Sequence, residues 1–312
     1  MHIPGGFLSD PVCTACTLAT GATVAVGAVR LRAAGASPAA MGALGAGIFA
    51  AQMVNFPVDH GTSGHVIGAA AATALLGPWA AMLVMAAVLA IQCLLFGDGA
   101  VSTLGVNILN MGVVAVATAW VVNRVVRRQV PGRHGAMLAG GLAAWVSVIA
   151  AASACSLELA ASGTYGLADV MSAMLNVHAA IGIGEALVTA AVVAIVFRSA
   201  EARSIAQPAR LGTRRLAAAL AIAVGIAMLL APLASSAPDG LERVAQNLGF
   251  ADQALPSAAA IAPDYVLPGF AWQPLAVALA GTLGVVAAFA GSWAVCRVAR
   301  YGSSAEGRST GL

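Results

Sequence analysis

No lysine occurs anywhere in the 312 residues. That absence removes the Gly-x-x-x-x-Gly-Lys-[Ser/Thr] loop of P-loop nucleotidases, so any ATP-driven step has to come from another chain. Charged residues make up 9 % of the sequence and aromatics 5 %, against about 25 % charged in a soluble globular domain. A polar shell cannot be built from so few charges, which excludes a water-soluble class. The net charge of +3 is carried by arginines that fall in clusters, which fits membrane topology better than a nucleic-acid partner. The chain has no internal repeat and no Gly-x-Ser-x-Gly nucleophile elbow. Its first residues lack both a basic start and a small-residue cleavage site, so they are read as mature protein rather than a secretory signal. Cys13-Thr-Ala-Cys16 has metal-like or redox-like spacing, but no second pair matches it among the five cysteines. These cysteines are read as small apolar residues of helices.

What the sequence has in excess is apolar length. Hydrophobic residues reach 60 % and the mean hydropathy is +0.91, the mark of an all-α polytopic membrane protein. Apolar segments run over 12–29, 38–56, a short 66–76 ended by Gly77-Pro78, 79–96, 104–122, 136–155 and 168–197. A basic linker, 199–213, follows, and then two spans, 216–233 and 271–295, around a polar loop over 235–269. The expected architecture is a bundle of about seven helices over residues 1–205 with an appended two-helix module over 206–312. Arginines orient it. With the N-terminus outside, Arg30 and Arg32, the cluster from Arg124 to Arg133, and Arg198 to Arg215 are all cytoplasmic, while Asp59, Asp98 and Glu158 face out. That alternation satisfies the positive-inside rule.

The opening Met1-His2 carries chemistry. A histidine at position two can offer a divalent ion the Met1 amine, its own backbone nitrogen and its imidazole, closing two fused chelate rings. Three nearly coplanar nitrogens suit nickel or copper rather than tetrahedral zinc. The same two residues also fit a disordered tail, and a fourth donor is needed. The turn from Asp59-His60 to His65 shares the outer face. His60 reads either as a transient metal contact or as a solvated loop residue. Asn107 and Asn110 share a helix face and suit interhelical hydrogen bonds. His178 and Glu185, seven apart, face the same way, either as a network near the pocket or as a structural stripe. An intramembrane glutamate is a functional candidate by default. Ser63, His65 and Asp59 superficially offer an intramembrane hydrolase its nucleophile, base and orienter, but they crowd one loop.

Met1-His2-Ile3-Pro4-Gly5-Gly6-Phe7-Leu8, Gly61-Thr62-Ser63-Gly64-His65, Phe96-Gly97-Asp98-Gly99, Leu104 to Met111 and His178 to Glu185 together resemble the NikM/CbiM family. Those proteins are the nickel/cobalt substrate-capture components of energy-coupling factor transporters. Pro238-Asp239-Gly240-Leu241-Glu242 resembles their small two-helix N subunit, fused here behind the first half. The resemblance implies a multi-pass protein of a bacterial or archaeal plasma membrane that is not itself an enzyme. It implies a transmembrane coupling subunit and ATPase subunits as partners. It also implies Ni²⁺, or alternatively Co²⁺, held by Met1, His2 and a fourth ligand at His65, with His60, Asn107, Asn110, His178 and Glu185 as candidate supporting residues. Capture is expected to weaken below about pH 6.5, the ordinary histidine value. The loop after Pro238, lacking histidine and cysteine, is expected to act on delivery rather than on affinity.

Overall fold

Apolar chain in hydrocarbon has to satisfy its own backbone polar groups, and helices are what these runs form. The computed structural model describes residues 1–34, 36–58, 61–196, 212–256 and 260–301. Its helices are α1 (Asp10–Ala34), α2 (Pro38–Gln52), α3 (Ala69–Leu76), α4 (Pro78–Ile91), α5 (Leu104–Asn107), α6 (Ala115–Gln129), α7 (Gly132–Ala161), α8 (Leu167–Val196), α9 (Thr213–Gly225), α10 (Gly240–Leu248) and α11 (Gln273–Tyr301). Wider π-helical turns prolong α4 over Gln92–Phe96 and join α5 to α6 over Ile108–Val114. Among the described residues seven stretches are long and apolar enough to cross a membrane, five before residue 200 and two after it. The boundary expected between 205 and 206 lies outside the described residues, as does most of the linker.

The second and third apolar segments differ from full crossings. With 15 and 8 residues, α2 and α3 are about 22 and 12 Å long, short of a hydrocarbon core of about 30 Å. Between them the chain leaves helix for a small antiparallel hairpin, Phe56–Pro57 against Ser63–Gly64. Side chains from elsewhere satisfy this irregular backbone. Gln52 donates to the Ile67 carbonyl at 2.7 Å, and the Glu185 carboxylate accepts from Ile67 N–H at 2.7 Å and Gly68 N–H at 2.8 Å. Gly68 has φ of +83° as it turns into α3, a conformation glycine takes without a Cβ penalty.

The second half is interleaved with the first rather than hung from it. α11 packs along α2 and also meets α4 and α1, and α9 packs on α2. Small residues set this seam: a Cβ at Gly42 would lie 2.8 Å from the Phe289 ring, and one at Gly281 2.9 Å from the Met53 sulfur. With no hydrophobic effect between helices in lipid, such close backbone approach supplies the packing. Gly42→Leu is therefore expected to destabilise the detergent-solubilised protein by about 1–3 kcal/mol through overpacking, read as a lowered unfolding temperature. An unchanged temperature would show that the α2–α11 seam contributes little.

Candidate metal site

The tail folds back into the bundle because its backbone is clamped at Ile3, which is fully buried. Ile3 N–H donates to Asn107 Oδ1 at 2.8 Å, while its carbonyl accepts from Thr103 Oγ1 at 2.6 Å and Asn107 Nδ2 at 3.2 Å. Asn107 sits where α5 opens into the π turn, and Gly99 (φ +84°) lets the chain pass close by, since a Cβ there would lie 2.7 Å from Asn107 Nδ2. Beyond the clamp, Phe7 stacks edge-on against Phe250 at 5.1 Å, and Gly5 carbonyl accepts from Leu255 N–H at 2.8 Å. Both partners belong to the loop between α9 and α11.

At the far end of the tail the Met1 amine lies 3.1 Å from His65 Nε2. The His65 Nδ1 is 3.1 Å from the Val66 carbonyl, so the proton belongs on Nδ1 and the Nε2 lone pair faces the amine. His2 stacks near His65, ring centroids 5.5 Å apart and planes 25° from parallel. Its Nε2 is 3.2 Å from Gln92 Oε1 and its Nδ1 3.1 Å from Asp98 Oδ1. The tautomer with Nε2–H donating to Gln92 leaves Nδ1, the nitrogen that closes the six-membered chelate ring, with its lone pair. In this reading each imidazole donates one N–H to an oxygen and presents the other nitrogen, the arrangement that fixes metal-binding histidines.

Burial, first of all, holds both imidazoles below the ordinary histidine value. For His65 the positive amine and His2 add to it, whereas for His2 the Asp98 charge works the other way. Both rings are thus neutral and able to act as ligands at neutral pH. A cavity of about 760 Å³ adjoins the cluster, lined by His2, His65 and Asp98 from the first half and by Asp239, Leu241 and Tyr265 from the second.

Met1, His2 and His65 are therefore brought together. His60 lies outside the described residues. Asn107 holds the tail, while Asn110 donates to Glu158 at 2.6 Å on α7, apart from the tail. His178 and Glu185 do not pair with each other: His178 Nδ1 lies 2.8 Å from the Met174 carbonyl one turn back, and Glu185 supports the backbone two residues beyond His65. Ser63 Oγ donates to the Ala237 carbonyl at 2.6 Å, which occupies the hydroxyl that a hydrolase would need as nucleophile; Asp59, the third member of that arrangement, lies outside the described residues.

Four residues at the site escaped the sequence reading. Gln92 accepts from the His2 ring, Asp98 lies 3.1 Å from its Nδ1, Tyr265 donates to Asp98 Oδ2 at 2.6 Å, and Asp239 accepts from the Met1 amine at 2.8 Å. Gln92 gave a signal, as a lone amide in an apolar run. Asp98 and Asp239 stood inside motifs already singled out, with no role attached to them.

The geometry of the Pro238-to-Glu242 motif is now legible. Pro238 carbonyl accepts from Ser63 N–H at 2.8 Å, joining the module to the histidine hairpin. Asp239 caps α10, accepting from Glu242 N–H at 2.9 Å in a reciprocal capping box. Gly240 passes against the His178 ring, where a Cβ would lie 2.8 Å from Cε1.

Residues 2–203 match the family model CbiM, described as cobalt uptake substrate-specific transmembrane region, and residues 213–301 match the PDGLE domain. Over 305 residues, 96 % of this chain and 99 % of the relative, it is 35 % identical to a putative fused nickel transport protein NikMN of Archaeoglobus fulgidus. It is 32 % identical to the fused nickel transport protein NikMN of Rhodobacter capsulatus, over 86 % of this chain and 84 % of that one. A crystal structure of a truncated transition metal transporter superposes with a TM-score of 0.58 at 33 % identity, covering 64 % of this chain and 99 % of that chain. The chain belongs to the NikM/CbiM family of multi-pass membrane metal-transport proteins, with a NikN-like PDGLE module fused behind it, and is a transport subunit rather than an enzyme.

Proposed function

We propose that this chain captures Ni²⁺, in preference to Co²⁺, from outside the cell and serves as the substrate-binding subunit of an ATP-driven energy-coupling factor importer. The ion is held by four nitrogens: the Met1 amine, the His2 backbone nitrogen, His2 Nδ1 and His65 Nε2. The observation that carries the reading is the 3.1 Å approach of His65 Nε2 to the amine. Two nitrogens bound at a right angle to one ion, each about 2.0 Å from it, lie about 2.8 Å apart. A small movement brings the pair into that relation. A planar nitrogen set favours nickel, and the intrinsic affinity order points the same way. The relatives named for nickel support it further.

The subunit performs exchange of water for nitrogen on the cargo and no other chemistry. Energy comes from the ATPase subunits, transmitted through a transmembrane coupling subunit that docks on the alanine-rich helix faces. The N-terminal end of the bundle, with the hairpin and the Asp239 loop, faces outward, because the arginines of α1, α6 and α11 gather at the opposite helix ends.

Proton release tests the donor set. Each metal ion displaces one proton from the ammonium and one from the His2 amide, so affinity rises with pH. Burial holds both imidazoles below the ordinary histidine value, so they are neutral ligands above it. The expected slope is about two log units of affinity per pH unit between about pH 7 and 7.5, measured by chelator competition on the purified protein. A slope near one would remove the amide nitrogen from the ligand set, and a pH-independent affinity would sink the amine-based site. Nickel should displace cobalt in the same assay; the reverse order would assign the cobalt reading.

A further inference from the structure

Among the described residues the Met1 amine lies within hydrogen-bond distance of two side chains, and only one of them belongs to the capture half. His65 Nε2 lies at 3.1 Å, and the Asp239 carboxylate, 238 residues away in the fused module, lies at 2.8 Å. Asp239 is fixed from several sides. Its other oxygen caps α10, the preceding carbonyl pairs with Ser63 in the histidine hairpin, and Gly240 rests against His178. Leu241 is 1 % exposed, anchoring the first turn of α10. The carboxylate is thus aimed at the amine by the whole motif rather than reaching it as a loose side chain.

On the reading of the site given above, we propose that Asp239 is part of it: a carboxylate from the second half that serves as the standing counter-charge of the bound ion. The carboxylate lies 2.8 Å from the amine nitrogen, so its negative charge faces the position of the ion, and a metal-bound amine, which keeps two N–H groups, still donates to it. A buried dication without such a partner would be strongly disfavoured. The two halves therefore form one composite site, and the module contributes to static affinity rather than to delivery alone. The absence of histidine and cysteine from its loop does not bear on this, because its contribution is charge and not a nitrogen or sulfur ligand.

The test uses the full chain and Ni²⁺ alone as probe. Asp239→Asn keeps the helix cap, since asparagine caps as well as aspartate, and replaces the oxygen that faces the amine with an NH2 group, removing the charge and that acceptor. Glu242→Gln alters the other half of the capping box and leaves the amine contact untouched. Asp239→Asn is expected to weaken nickel binding roughly tenfold to a hundredfold, the usual effect of losing a group that supports a metal ligand, while Glu242→Gln leaves it unchanged. Equal affinities for wild type and Asp239→Asn, or tighter binding by the variant, would overturn the proposal. Equal losses in both variants would also overturn it, reducing Asp239 to a helix cap. If wild type and His65→Ala bind nickel alike, the four-nitrogen reading itself fails, an outcome distinct from any of these.

Discussion

Inserting one alanine between Met1 and His2 is expected to abolish nickel uptake while leaving the protein folded. Every side chain is retained, but Ile3 stays clamped by Asn107 and Thr103, so the extra residue pushes the amine away from its neighbours by up to the 3.8 Å between successive Cα atoms. Met1 is 6 % exposed and sits against His65 and Asp239, contacts that the displaced amine loses. The insertion also creates Met-Ala-His, whose amine, two backbone nitrogens and imidazole can complete a nickel square without His65. Bound metal alone is therefore an ambiguous readout. The decisive pair is uptake and its dependence on His65. A four-donor site has a binding free energy on the order of 10–16 kcal/mol, so losing one donor lowers affinity by two orders of magnitude or more. His65→Ala should show that loss in the native frame and no loss after the insertion. Uptake that survives the insertion, still sensitive to His65, would mean that the amine is not a ligand.

Glu185→Ala is expected to have the largest effect outside the tail. Its two oxygens are the acceptors for Ile67 N–H and Gly68 N–H, and the side chain is fully buried. Without it two main-chain donors stand unpartnered inside the bundle, at about 1–3 kcal/mol each, for a destabilisation of about 2–6 kcal/mol. Since Ile67 follows His65 by two residues, the loss extends to the position of the imidazole, and nickel affinity should fall by at least tenfold. Glu185→Gln offers one oxygen and sets an amide N–H against the second donor, so it should fall between wild type and Glu185→Ala. Thermal unfolding in detergent, run beside a nickel titration, separates the two parts. A lowered unfolding temperature with unchanged affinity would make Glu185 a packing residue with no bearing on the site.

The extent to which the site was legible follows from the range of the interactions. The proposed Met1–His2 chelate depends on bonds within two residues, so its candidate donors stand in the first line of sequence. His65 was reachable only through its place in the Gly61-to-His65 motif and its resemblance to a family. Gln92 sits in an otherwise apolar run, a visible anomaly, but only the π turn over Gln92–Phe96 brings its amide to the His2 ring. Glu185 drew notice as an intramembrane acid, yet its partner turned out to be the irregular backbone that leads into α3 rather than His178.

Composition and period determined the class: apolar runs without lysine and with few charges leave a chain no alternative to membrane helices. The tail chemistry was equally local. Only the tertiary structure decided that α2 and α3 stop short and carry a hairpin between them, that α11 wedges against α2 through glycines, and that Asp239 reaches the amine of Met1. The last of these joins residues 238 positions apart. Nothing in a local pattern records such a distance, because the contact energy appears only after the intervening helices have packed and closed the loop between the two partners.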